Sequence, residues 1–208
     1  MISLFLNTSS NYLNVGIYKD GKVVDSIYEK YDKDLSKEAL YKMSLLLSNN
    51  SLALDEIDEI VCVRGPGSFT GLRIGVTISK TIAYFLNKEL YSASSLDVMA
   101  TSVSGDIIVP LINARRGYVY AAIYDREYNV LFKESYIKLE DLLKKVDKYD
   151  GKVVFVSLDE FDFDTIMYKP NLDRFYRYDL KKKENSMSFI PKYLKKTEAE
   201  EKLNDKRD

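Results

Sequence analysis

The sequence predicts an α/β protein of two tandem lobes, each running β-β-β-α-β-α, with the second lobe reduced. Three observations carry that prediction. Apolar runs of strand length alternate with longer runs of helical periodicity up to about residue 104, and the same order starts again near Gly105. The segment Asn7 to Tyr18 lies over Asn113 to Tyr124 without a gap, so that Asn7, Tyr12, Ile17 and Tyr18 meet Asn113, Tyr118, Ile123 and Tyr124. Identities at the same place in two runs of like element order indicate an internal duplication. Finally, the stretch Arg64 to Gly75 holds four of the nine glycines and joins an apolar strand to an apolar helix, as a strand-to-helix elbow does.

Ile2 to Asn7 reads as a buried strand ending in the polar turn Asn7-Thr8-Ser9-Ser10-Asn11. Tyr12 to Tyr18 is a second strand, and Asp20-Gly21 is a hairpin signal leading into Lys22 to Glu29. Ser36 to Ser48 has helical spacing, with Ala39, Leu40, Met43, Leu46 and Leu47 on one side. The strand Ile57 to Val63, the elbow, the helix Leu72 to Leu86, a short strand Glu89 to Ser92 and a helix from Ser94 or Ser95 complete the first lobe, residues 1–104. In the second lobe, residues 105–208, Ile107 to Asn113, Tyr118 to Tyr124 and Val130 to Ile137 are strands, Leu139 to Tyr149 a helix, and Lys152 to Ser157 a strand. Past Ser157 the pattern fades. Arg174 to Tyr178 reads as a strand, Lys181-Lys182-Lys183-Glu184 as a solvated loop or helix start, and Glu198 to Asp208 as a short helix or a frayed tail; the segment 190–208 is open to packing back on the first lobe.

The elbow admits three readings. Its glycines could let an anion approach a helix N-terminus, although Gly65-x-Gly67 followed by Gly71 has neither dinucleotide-binding nor P-loop spacing. They could set the turn into a helix capped by Ser68 or Thr70. Or Gly71, Gly75, Ser79 and Ala83, recurring every fourth residue, could form a ridge of small side chains that a neighbouring element approaches closely, either the chain's own or a partner's. Leu72, Ile74, Val76, Ile78, Ile82, Phe85 and Leu86 make the other faces of this helix apolar too, so something covers it on more than one side.

Composition narrows the function. A net charge of −1 gives no general attraction to nucleic acid or anionic membrane, so if RNA is involved a partner supplies most of the basic surface. There is no histidine, which excludes a Ser/His/Asp triad, a Cys/His pair and a His-ligated metal built from this chain alone. Cys62, the one cysteine, sits in the apolar run Ile60 to Val63 and reads as a small buried hydrophobe. No run reaches transmembrane length and the N-terminus lacks signal-peptide character, which leaves the cytoplasm as the default. Arg115 and Arg116, with Lys181 to Lys183, could touch RNA or a partner; a solvated turn or an internal ion pair is the plainer reading. Arg64 and Arg73 flank the elbow, where an internal salt bridge competes with a partner contact. The 17 tyrosines read as strand and interface filler, with no base-stacking platform at the spacing of a known module.

Two tandem lobes of this order are the architecture of the actin-like, sugar-kinase and Hsp70-like ATPases (RNase H-like folds), in which a nucleotide lies on the turns after each first strand. Here those turns are Asn7 to Asn11 and Asn113 to Gly117. Active members resembling this pattern place a carboxylate where the chain has Asn7 and Asn113, and an amide can neither hold Mg²⁺ by charge nor act as a base. The run Arg64-Gly65-Pro66-Gly67-Ser68-Phe69-Thr70-Gly71-Leu72-Arg73-Ile74-Gly75 resembles the signature of the TsaB (YeaZ) family, paralogues of the TsaD transferase within the glycoprotease-like group. Asn113-Ala114-Arg115-Arg116-Gly117-Tyr118-Val119-Tyr120 is similar to that family's second-lobe motif, and Pro191-x-Tyr193-Leu194 with Ala199-Glu200 to its C-terminal one.

The resemblance implies a non-catalytic scaffold subunit for forming N6-threonylcarbamoyladenosine beside the tRNA anticodon, with no metal and no cofactor. It implies a heterodimer with a TsaD-like transferase, a TsaE-like ATPase as further partner, tRNA met through the complex, and a homodimer when isolated. The turns Asn7, Thr8, Ser9 and Asn113 would be vestiges of a nucleotide site. The partner would meet first-lobe helices, carried onto Ala39, Leu40, Met43 and Leu47 and onto Gly71, Leu72, Gly75, Val76, Ser79 and Ala83. A histidine of many members is replaced by Leu35. The alternative is a nucleotide-dependent enzyme of the same fold, with ATP on the two Asn-headed turns.

Overall fold

A computed structural model of the chain describes residues 1–31 and 34–195. The reading of Glu198 to Asp208 and the motif residues Ala199 and Glu200 lie outside the described residues. The first lobe contains β1 (Ile2–Asn7), β2 (Tyr12–Lys19), β3 (Lys22–Lys30), α1 (Leu35–Asn49), β4 (Glu59–Val63), α2 (Phe69–Phe85), β5 (Glu89–Ala93) and α3 (Ser95–Ala100), with a 3₁₀ turn at Leu54–Glu56. The rest of the chain contains β6 (Ile107–Asn113), β7 (Tyr118–Asp125), β8 (Val130–Lys138), α4 (Leu139–Val146), β9 (Val153–Ser157), β10 (Ile166–Met167), α5 (Leu172–Arg177) and β11 (Lys182–Glu184), the last of which returns to the first lobe's sheet.

The two sheets show the duplication directly. In the first the order is β11-β5-β4-β1-β2-β3, and in the second β10-β9-β6-β7-β8. Each has a hairpin pair antiparallel to its first strand and parallel partners on that strand's other side. The β2–β3 hairpin turns through Asp20 and Gly21, both at positive φ (51° and 89°), as a two-residue turn matched to strand twist requires.

What the second copy lacks is the counterpart of α2. Between β4 and β5 the first lobe has 17 helical residues, whereas β9 reaches β10 through residues 158–165 with no helix. There Phe161 and Phe163 pack with Phe155 against the α4-covered face of the second sheet, filling with three rings part of what a helix would cover.

Three cores follow from this layering. One lies between the first sheet and helices α1 and α2, and includes Leu4, Leu6, Ile60, Cys62, Met43 and Val76. A second lies under α4, around Val109, Ala121 and Leu142. The third joins the lobes: Phe5, Val61 and Val63 meet Leu96, Val98 and Met99 of α3, Ile108 and Tyr124 of the second sheet, and Phe175 and Tyr176 of α5.

The end of the chain departs from the sequence reading in two places. Arg174 to Tyr178 is not a strand: Asn171 caps a helix over Leu172–Arg177 by accepting the Arg174 N–H at 3.0 Å, and Leu172, Phe175 and Tyr176 go inside. Tyr176 stacks on Tyr18 at 4.0 Å and shares a 2.7 Å hydrogen bond with Ser3. The lysine run is neither a loop nor a helix start, although Lys182 and Lys183 are solvent-exposed as read. Lys182–Glu184 is β11, antiparallel to β5. Lys181 pairs with the buried Glu59 and lies over the Tyr91 ring, and Lys183 pairs with Glu89.

Cys62 lies fully buried in β4, where desolvation pushes its thiol up to about 12. A maleimide is therefore expected to leave the native protein unmodified by intact-mass spectrometry and to label one site in denaturant; rapid labelling of the native chain would contradict the buried placement.

Candidate functional site: interlobe cleft and the outer face of α1 and α2

Two asparagine-headed turns face each other across the lobes, and they are built alike. Asn7 accepts the Ser9 N–H at 2.9 Å, and Asn113 accepts the Arg115 N–H at 2.8 Å. Each amide thus folds back on its own turn, at equivalent positions of the two copies. The turns line a cleft of about 560 Å³ that also receives Ser68 from the elbow, Ser95 and Met99 from α3, and Tyr120, Asp159 and Tyr168 from the second lobe. Among the described residues its charged lining is one cation, Arg115, and one anion, Asp159, whose carboxylate already accepts the Asn113 N–H at 2.7 Å. Among the described residues no cluster of three His, Cys, Asp or Glu side chains could hold a metal ion. A donor set of two inward-folded amides and one engaged carboxylate does not fit a metal-chelated triphosphate. Nothing in the sequence singles out Asp159, because only the pairing of β6 with β9 carries it beside Asn113.

At the elbow the structure decides between the three readings. Ser68 caps α2, accepting the Gly71 N–H at 3.2 Å. The glycines are needed because the first turn lies on top of them. A Cβ on Gly67 would overlap the Ser9 carbonyl, one on Gly71 the Thr8 carbonyl, and one on Gly75 the Thr8 hydroxyl. The Thr8 hydroxyl then donates to the Gly71 carbonyl at 2.8 Å. The close approach that these glycines permit is made by the protein's own β1–β2 turn, while Gly67 and Ser68 also line the interlobe cleft.

The same contacts correct the partner surface. Gly71, Leu72, Gly75, Val76, Ser79 and Ala83 are the buried side of α2, and the close approach made by its small residues is to the Thr8 turn. Ala39, Met43 and Leu47 are likewise buried against the first sheet. Of the interface residues read from the sequence, Leu40 alone faces outward, 53% exposed. The outward apolar groups on these two helices are Leu40 and Tyr41 (58%) on α1, and Phe69, Tyr84 (55%) and Phe85 (77%) on α2. Helical periodicity identified an apolar side correctly and gave it to the wrong neighbour.

The arginines are used internally. Arg64 pairs with Glu184 at 3.3 Å. Arg73 lies over the Phe69 ring at 3.9 Å and donates to the Tyr193 hydroxyl at 3.2 Å, while Tyr193 stacks on Phe69 at 4.8 Å. The segment bearing Tyr193 runs over the first lobe: Phe189 is buried in the core under α2, the Lys192 N–H donates to the Arg64 carbonyl at 2.8 Å, and the Lys192 ammonium pairs with Glu134 of β8. Glu134 also accepts from Ser94, and beside it Asp97 accepts the Tyr124 hydroxyl at 2.6 Å. Burial, more than any other cause, lifts Asp97 to about 6. Arg115 and Arg116, in contrast, are exposed at the end of the β6–β7 hairpin.

Comparison with known proteins places this arrangement. Residues 29–166 match the family model described as TsaD: tRNA N6-adenosine threonylcarbamoyltransferase. The tRNA threonylcarbamoyladenosine biosynthesis protein TsaB of Bacillus subtilis is 30% identical over 164 residues, covering 76% of this chain and 72% of that protein. The protein of the same name from Escherichia coli is 27% identical over 162 residues, covering 74% and 70%. The structure of YeaZ from Pseudomonas aeruginosa superposes with a TM-score of 0.74 over 93% of this chain and 99% of that one at 21% identity, which shows a common fold. No helix among the described residues is long and apolar enough to cross a membrane. The chain belongs to the TsaB family of tRNA threonylcarbamoyladenosine biosynthesis proteins, within the group matched by the TsaD model.

Proposed function

We propose that this protein is a non-catalytic subunit for forming N6-threonylcarbamoyladenosine in tRNA, and that it docks a TsaD-like transferase on the outer face of α1 and α2. The observation that carries this is the set of exposed apolar side chains, Leu40 and Tyr41 on α1 and Tyr84 and Phe85 on α2, on two helices whose inner sides are locked to a sheet. Large rigid aromatics on a fixed scaffold are the residues from which interface energy is mostly drawn. The cleft supports the non-catalytic part, since its two turns present amides folded back on themselves. In this reading a TsaE-like ATPase joins the same assembly, tRNA is met through the complex in the cytoplasm, and two copies cover the α1–α2 face when the chain is alone.

Depleting the protein should lower the modified nucleoside in bulk tRNA, measured by mass spectrometry; an unchanged level overturns the proposal. Calorimetry of the isolated chain with ATP and Mg²⁺ should show no saturable heat, whereas binding accompanied by turnover would favour the enzyme of the same fold. Phe85→Ala, at the most exposed of these rings, should weaken transferase binding by about 2 kcal/mol, roughly 30-fold in Kd. The unfolding midpoint should stay within about 0.5 kcal/mol of the parent. Unchanged affinity in that folded variant would move the interface off this face.

A further inference from the structure

Although the tyrosines show no stacking pattern along the chain, the fold assembles three of them. Tyr118 and Tyr136, on neighbouring strands β7 and β8, stack at 4.6 Å with 10° between planes, and Tyr120, directly across from Tyr136, tilts against it at 5.6 Å. All three are half-buried. Alternation along β7 puts Val119, Ala121 and Ile123 on the side packed under α4 and these tyrosines on the other. β8 is the edge strand of its sheet among the described residues.

Cations surround the strip. Arg115 and Arg116 project from the turn that leads into Tyr118, Lys138 pairs across the strands with Tyr118, and Lys195 lies 5.6 Å from the Tyr136 ring centre. Arg115, Arg116 and Lys138 are exposed and make no ion pair among the described residues. Three cations of the lysine run and the returning segment are in ion pairs: Lys181 with Glu59, Lys183 with Glu89 and Lys192 with Glu134. In a chain of net charge −1, this grouping of exposed cations next to stacked rings is a local departure from the neutral whole.

We propose that the β6–β7 turn and the tyrosine strip form an RNA-binding face, which takes an unpaired base against the Tyr118–Tyr136 stack and the adjoining phosphates on Arg115, Arg116 and Lys138. Aromatic faces with flanking cations are what an unpaired nucleotide needs: a ring for its base and point charges for its backbone. A stacked pair offers its outer faces already oriented, with no side-chain ordering left to do. The face lies on the second lobe, where its Tyr120 and Arg115 also line the interlobe cleft. The inference rests on the proposed function for its choice of RNA as the polyanion.

The test is fluorescence anisotropy of a labelled tRNA anticodon stem-loop titrated with the purified full chain. Three neutralised phosphates should give a slope of about −2 in log K against log salt. Tyr136→Ala should lose about tenfold in affinity and Tyr136→Phe should keep it, since the ring, and not the hydroxyl, does the stacking. Arg116→Glu with Lys138→Glu, both exposed changes, should lose at least tenfold and flatten the salt slope. Absence of binding overturns the proposal, and so does binding lost on charge reversal but untouched in Tyr136→Ala, which would be unspecific attraction. If depletion leaves the nucleoside unchanged while the stem-loop binds as described, the pathway assignment fails and the RNA face stands. Normal dependence of the modification on the protein, with no stem-loop binding, is the reverse case.

Discussion

Gly75→Leu should lower the stability of the isolated chain by about 3 kcal/mol, at the upper end of what overpacking costs. The new side chain would enter α2 on the side facing β1, where a Cβ alone already overlaps the Thr8 hydroxyl. Relief requires moving either the helix or the β1–β2 turn. Moving the turn breaks the 2.8 Å bond from Thr8 to the Gly71 carbonyl and disturbs Ser68, whose N–H donates to the Ser9 carbonyl at 2.7 Å. The sequence alone suggests another outcome, weakened pairing with a partner in an otherwise intact fold. Urea unfolding separates the two, since the packing found here demands a lowered midpoint even with no partner present. Thr77→Leu, on the exposed side of the same helix, should stay within about 0.5 kcal/mol. An unchanged midpoint for Gly75→Leu would mean that α2 and the first turn are not in close contact.

The repeat was legible because it is written locally. Strand alternation, the Asp20-Gly21 hairpin and the Asn7/Asn113 match each depend on a few adjacent residues, and the sheets reproduce them in register. The elbow's cap was legible for the same reason, since Ser68 and Gly71 are three apart. What could not be read was which surface meets which. The four-residue spacing of Gly71, Gly75, Ser79 and Ala83 says that something comes close, and a β-turn 63 residues away satisfies it as well as a foreign helix does. Leu40 lies next to Ala39 in sequence and on the other side of α1 in space.

The end of the chain is hard to read because its strongest determinants are distant. Arg174 to Tyr178 has strand-like composition, but Phe175 and Tyr176 are both buried, which in a strand would place them on opposite faces and in α5 places them in one core with Phe5. The lysine run reads as solvated throughout, and Lys182 and Lys183 are, but Lys181 pairs with Glu59, 122 residues earlier. The tyrosine strip depends on register: Tyr118 and Tyr136 lie on consecutive strands and meet only through the particular β7–β8 pairing.

Asp97→Asn should stabilise the chain at neutral pH and do nothing at pH 4. The Asp97 carboxyl sits at the junction of the lobes, accepting from Tyr124 of β7, with Glu134 of β8 and Lys192 of the returning segment nearby. Burial is the main cause that raises it from 3.8 to about 6, assisted by Glu134 and opposed by the Tyr124 bond. A carboxyl whose pKa is higher folded than unfolded binds its proton more tightly in the native state. Its contribution to stability is therefore complete below about pH 4 and is lost as pH rises through 6. A folded pKa about two above the unfolded one corresponds to roughly 3 kcal/mol between those limits. Asparagine keeps an acceptor for Tyr124 and carries no charge to bury, so the stability difference between variant and parent should climb from near zero at pH 4 to about 3 kcal/mol at pH 8. Urea midpoints at a series of pH values give that curve directly. A difference that stays flat would place Asp97 in contact with water, and with it would go the tight junction that Tyr124, Glu134 and Lys192 form between the lobes.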